Sequence, residues 1–207
     1  MRVTRLHAFV AAAALAVLLA SPATGETIES ITTPFDVDKC VHKAGQEPED
    51  EGEWRCVGYA GIPIVMTVGD ARAYISYGAR AEREPAAAQT LAALNGEGSS
   101  IEWRIVRDGS RKPRAFATIM RWSTAVPVDD PKVENGTYRG EVLVVTRLGP
   151  GGVCHVGYVD AKQNAKAVEL AREIADRHAR TFRCGKDKPF VLGDKGPGFS
   201  GPYRANK

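Results

Sequence analysis

Three histidines lie beyond position 25: His42, His155 and His178. Two of them, with one aspartate, hold the most chemistry in the chain. His155 stands five residues before Asp160, and His178 follows on a stretch with helical periodicity. Imidazole and carboxylate groups gathered at one strand-to-helix turn would form an acid/base cluster, such as a small periplasmic hydrolase or transferase could use. Each residue also has a plainer reading. His178 belongs to an apolar helical stripe, where a histidine ordinarily sits at the edge of a core. Strand alternation puts His155 and Tyr158 on opposite faces. A hydrolase further needs an activated nucleophile, and the chain holds no G-x-S-x-G, S-x-x-K or H-E-x-x-H. Residues 196–201 spell G-x-G-x-x-G but open no helix, so they are not read as a nucleotide site. No catalytic residue and no cofactor are therefore expected, with His155, Asp160 and His178 as the candidates if there is catalysis.

The four cysteines, Cys40, Cys56, Cys154 and Cys184, carry the second possible chemistry. His42 follows Cys40 by two positions and His155 follows Cys154 by one, which raises a metal site. There is no C-x-x-C pair, and thiols in an oxidising compartment are consumed by pairing, so no metal is expected. Of three possible connectivities we expect Cys40–Cys56 and Cys154–Cys184, because each closes a local loop. Five carboxylates in residues 43–53 lack calcium-loop spacing and read as a solvated loop. Asn135-Gly136-Thr137 matches a glycosylation acceptor by letters but reads as a turn. Trp54, Tyr59, Tyr74, Tyr77, Trp103 and Trp122 could line a ligand surface, aided by Arg72, Arg104 and Arg121. Aromatic residues on strands more often serve the core.

The oxidising compartment follows from residues 1–25. Arg2 and Arg5 precede an apolar run over 8–20, and Ser21, Ala23 and Gly25 supply small residues for cleavage. That order is a secretory signal, and its apolar run is too short to span a bilayer. The 207-residue chain has 28 basic and 25 acidic residues. Removing Arg2 and Arg5 with the leader leaves a net charge of +1. This argues against nucleic acid or an anionic membrane as partner, and no membrane span is expected after cleavage. The mature part suits one domain, 26–184, followed by a flexible Gly/Pro/Lys-rich tail, 185–207.

The elements that would position these residues are mostly short strands. Residues 26–39 read as extended. A strand at 54–58 precedes a hairpin of 62–68 with 71–77, turning at Gly69-Asp70. Pro85 opens a short helix that ends before Asn95-Gly96, a turn signal. Residues 101–106 and 115–122 form a second hairpin around Asp108-Gly109. Strands 141–148 and 153–159 flank a glycine-rich turn. Asn164 caps a helix, with Asp160 and Gln163 as an earlier alternative, and Ala167, Leu170, Ala171, Ile174, Ala175 and His178 make its apolar face. The expected fold class is α+β: an antiparallel sheet of about seven short strands with one C-terminal helix packed on a face.

The blocks DVDKC, GDARAYISYG, IEWR, ATIMRW, LVVTRLG and CHVGYVDA resemble small exported proteins of alphaproteobacteria that carry no assigned function. The resemblance implies an envelope protein with disulfides and brings no active site. The expected function is a non-catalytic binding or interaction module of the cell envelope, periplasmic or secreted. Its partner would be a protein or a small-molecule ligand. A structural envelope component is the other non-enzymatic reading.

Overall fold

The computed structural model describes residues 25–45, 50–109, 111–127, 129 and 137–205. Residues 1–24 of the expected signal sequence (1–25), part of the acidic loop and Asn135 lie outside these residues. The described chain forms β1 (Thr27–Pro34), β2 (Val41–Lys43), β3 (Asp50–Val57), β4 (Pro63–Gly69), β5 (Arg72–Tyr77), β6 (Gln89–Leu91) and β7 (Leu94–Gly96). β8 (Ser100–Arg107), β9 (Arg114–Pro127), β10 (Thr137–Arg147) and β11 (Cys154–Asp160) follow. After them come helix α1 (Ala167–Ile174), β12 (Phe190–Val191) and β13 (Pro202–Arg204).

The expected antiparallel sheet of about seven strands is corrected by this arrangement. The protein is mostly β, with a mixed sheet of 11 strands ordered β12-β11-β10-β9-β7-β5-β4-β3-β2 and a side branch of β8 and β1. Two pairs are parallel: β5 with β7, through Arg72 and Asn95, and β11 with β12. The hairpins of β4 with β5 and of β8 with β9 are antiparallel. Sequence patterning misses the rest for a physical reason. β7 and β12 span three and two residues, too few to show alternation, and only tertiary pairing makes them strands.

β9 is the spine because its 14 residues outrun any one neighbour on that edge. Its first half pairs with β8, and Ser123 to Ala125 pair with β7. The sheet therefore forks, and the two branches face each other. Ile64, Met66, Ile75 and Tyr77 of β4 and β5 pack against Ile101, Trp103 and Ile105 of β8, and against Met120, Trp122, Val144 and Tyr158. Tyr77 meets Trp103 edge-on at 5.8 Å. Trp103 and Trp122 are almost fully buried, and each contributes roughly 2–3 kcal/mol through burial. The opposite face of β9, β10 and β11 carries Phe116, Ile119, Val145, Val156 and Val159 against Ala171, Ile174, Ala175 and Phe182.

Helix α1 is shorter than its periodicity suggests and continues as a π-turn over Ala175–Ala179. Two arginines bind it to the sheet. Arg104 of β8 donates from Nε and Nη2 to the Asp176 carboxylate at 2.8 and 2.6 Å. Arg172 donates to Glu102 at 2.7 and 3.2 Å, and Ser30 of β1 joins Glu102 and Arg104. Burial alone would raise the Glu102 pKa, but Arg172, Ser30 and Arg104 outweigh it and leave the carboxyl below its usual range. At the far end, Arg147 is 7% exposed and donates to the carbonyls of Phe182 and Pro150. Burial lowers its pKa. The Cys154–Cys184 disulfide closes the same corner.

The segment expected as a flexible tail is laid across the body. Asp194 N–H donates to Asn164 Oδ1 at 3.0 Å, Thr124 Oγ1 donates to the Gly198 carbonyl at 2.8 Å, and β13 pairs with β6. A Cβ on Gly140 would lie 2.4 Å from Gly198 Cα, so glycine is required where this strap crosses β10. Composition alone reads this segment as unanchored, because its fastenings are hydrogen bonds and short strand pairings with residues distant in the chain. The short helix expected after Pro85 is one 3₁₀ turn, Pro85–Ala88, followed by β6. Asn164 holds the strap and gives the helix no side-chain cap.

Asn95, which reads as a turn residue, joins the two parts of the main sheet. Its Oδ1 accepts from Ala73 N–H at 3.2 Å, its Nδ2 donates to the carbonyls of Leu91 and Ala93 at 3.2 and 2.8 Å, and it meets the Thr90 hydroxyl. Replacing Asn95 by Ala leaves these groups without their partner. The expected loss is about 2–4 kcal/mol, seen as a lower urea midpoint with an unchanged slope. Asn95→Asp, which keeps the acceptor and loses the donor, should fall between the two.

Candidate functional site

Two of the three candidate residues lie on β11, His155 near its start and Asp160 at its end. A bulge shapes the place: Val145 of β10 pairs with Gly157 and Thr146 with His155, which leaves Val156 as the extra residue. The extra residue shifts the alternation by one. His155 and Tyr158 therefore face the same side, against the sequence expectation. His155 Nδ1 lies 2.9 Å from the Tyr158 hydroxyl, and Trp122 packs edge-on at 5.7 Å. The His155 N–H donates to Gln89 Oε1 at 2.9 Å.

This pair is sealed. His155 is 1% exposed, and its Nε2 has no hydrogen-bond partner among the described residues. Burial pushes the imidazole down to about 3, because no carboxylate stands by to stabilise the cation. Burial also pushes the Tyr158 phenol far above its usual range. A ring held neutral and closed off from solvent packs and hydrogen-bonds. It has no route for a proton to a substrate outside.

The other two candidates are occupied elsewhere. Asp160 is 1% exposed; its Oδ1 accepts from Lys162 N–H and Gln163 N–H at 3.0 and 3.2 Å, and its Oδ2 accepts from Gly196 N–H at 2.9 Å. It shapes the strand-to-helix turn and fastens the strap. His178 lies on the helix side of the sheet, stacked on Phe190 at 4.0 Å. The structure brings His155 to Tyr158 but does not bring His178 to either His155 or Asp160. Among the described residues no three His, Cys, Asp or Glu side chains gather as a metal site. His42 stacks on Trp54 at 4.4 Å. The supporting arginines are engaged: Arg104 by Asp176, Arg121 by Glu141, and Arg72 by Asp70 and the Tyr203 ring.

Open surface lies at the other end of the sheet. The Cys40–Cys56 disulfide ties the residues after β1 to β3. Beside it is a depression of about 330 Å³ lined by Pro34, Phe35, the disulfide, Val41 and Val57. A second, of about 420 Å³, adjoins it across Phe35 and reaches residues 97–99. Val41 and Val57 are 73% and 80% exposed. Sequence reasoning missed both, because a valine on a strand ordinarily reads as core. Only the position of β2 at the sheet edge leaves Val41 uncovered. The charges lining the first depression are paired within the chain: Lys39 with Asp36 at 2.9 Å and Arg55 with Glu53 at 2.6 Å.

Compared with protein-family models, curated proteins and solved structures, the chain matches none of them. Two disulfides are present, consistent with an extracellular protein, and no described helix is long and apolar enough to cross a membrane.

The buried imidazole makes stability depend on pH. The fold holds His155 near 3, while the unfolded chain titrates near 6.5. Between those values the unfolded state binds a proton that the folded state refuses, so stability falls as pH drops through this window. Urea unfolding at pH 7 and pH 4.5 should show a loss of about 2–3 kcal/mol from this residue. His155→Phe should lose correspondingly less over the same interval. Equal losses in both proteins would mean that His155 is not held neutral by burial.

Proposed function

We propose that this protein is a non-catalytic binding module of the cell envelope, exported to the periplasm or the medium. One observation carries the reading: among the described residues the two most exposed large apolar side chains, Val41 and Val57, stand at the disulfide-braced end of the sheet, whereas the acid/base residues are buried or occupied. Valines exposed at 73% and 80% beside two adjoining depressions form a surface that a partner would bury. The charges lining the first depression are already paired, Lys39 with Asp36 and Arg55 with Glu53, so contact with a partner there need not strip an unpaired ion of water. The Cys40–Cys56 bridge limits how far the surface can deform, which lowers the entropy lost on binding. The signal sequence and two disulfides support an address outside the cytoplasm. The partner is a protein or small-molecule ligand of the envelope.

The test places a photo-crosslinking residue at Val41, at Val57 and, as a control, at Lys195 of the strap. Crosslinks to a discrete envelope partner should form from positions 41 and 57 and not from 195. Val41→Lys with Val57→Lys should reduce capture at least tenfold. Because both side chains are exposed, folding stability should stay within about 0.5 kcal/mol. Undiminished capture by the double variant, or an enzymatic turnover that survives it, would overturn this reading.

A further inference from the structure

A separate depression of about 250 Å³ lies where β7 meets β9 and β10, away from the disulfide-braced surface. Ala71, Leu94, Asn95, Ser123, Thr124 and Arg139 line it, and Arg139 is the one charged side chain in that lining. Arg139 is exposed and forms no ion pair with a described residue, unlike Arg72 and Arg121 close by. Leu94 is 45% exposed and supplies an apolar wall. The bend forming another wall is strained: Asp70 and Ala71 have φ of 51° and 52°, a left-handed conformation that glycine or asparagine would ordinarily supply. Asn95 N–H holds that bend by donating to the Ala71 carbonyl at 3.1 Å.

We propose that this junction binds a small carboxylate carrying a short aliphatic group. The planar guanidinium of Arg139 matches a carboxylate with two parallel N–H donors. Leu94 takes the aliphatic part, and the Ser123 hydroxyl, whose bond to the Gly96 carbonyl is long at 3.4 Å, is free to turn toward the second oxygen. The same chemistry occurs in a free branched acid and in the C-terminal residue of a peptide. This proposal is independent of the partner surface at Val41 and Val57, whose substitution should leave it intact.

The test is an amide chemical-shift titration of the mature, disulfide-bonded protein with isovalerate, N-acetyl-leucine, 3-methylbutanol and inorganic phosphate. Isovalerate should produce saturable shifts at Leu94, Gly96 and Ala125 in the millimolar range. Tighter binding of N-acetyl-leucine would point to a peptide terminus, and tighter binding of isovalerate to a free acid. Arg139→Gln should weaken binding at least tenfold with the melting temperature unchanged, and Leu94→Ser should weaken it several-fold. The proposal fails if no shift saturates or if Arg139→Gln binds as well as the parent. It also fails if 3-methylbutanol or phosphate binds as tightly as isovalerate.

Discussion

The architecture depends on how two parts of one sheet are joined at a single residue. β7 is three residues long and meets β5 through one parallel bridge, Arg72 to Asn95. A bridge of that length cannot hold two β layers together by backbone pairing alone. The Asn95 side chain supplies what the ladder lacks, because an amide is donor and acceptor at once. Its Oδ1 accepts from Ala73 N–H and so ties β7 to β5, while its Nδ2 donates to the carbonyls of Leu91 and Ala93 and fixes the turn that leads into β7. With the junction closed, β4 and β5 lie over β8 to β11 and the main core forms between them. Without it, the apolar faces of both parts would have to find another partner.

The same economy governs the polar side chains inside the fold. Asp160 receives three backbone N–H groups and so shapes a turn while fastening a distant strap. Arg104 and Arg172 hold the helix through Asp176 and Glu102. Each pair has one well-covered partner, Arg104 in one and Glu102 in the other, so an alternative docking of the helix would leave that charge uncompensated. His155 is the exception. It lies in the core as a neutral ring held by Tyr158, with one nitrogen unpartnered, and gives the fold its sensitivity to acid. These roles leave the edge surface by the first disulfide and the junction beside Asn95 as the two places proposed for recognition.

The pattern of hydrophobic residues made the hairpins of β4 with β5 and of β8 with β9 legible, together with the apolar face of the helix. In each case the elements are adjacent in the chain and long enough to show a period. The local disulfide pairing was legible for the same reason of proximity. The placement of His155 was not. A single bulged residue, Val156, reverses which face the next residues occupy, and no local pattern announces it. Arg139 and the two exposed valines had no signal either, since exposure depends on which strands end the sheet and which segments cover it.

The sequence by itself determined the paired cysteines, many of the short strands and a helix with one apolar face, and it supports the proposal of an exported chain, near neutral once its leader is removed. Those properties are local: they follow from composition, short-range periodicity and the chemistry of an oxidising compartment. The forked mixed sheet, the strap and the separation of His178 from His155 were decided by tertiary structure alone. Each rests on hydrogen bonds and packing between residues far apart in the chain, Asn95 with Ala73 and Gly196 with Asp160 among them. Such bonds form only once a core has brought both ends together, so no stretch of sequence displays them.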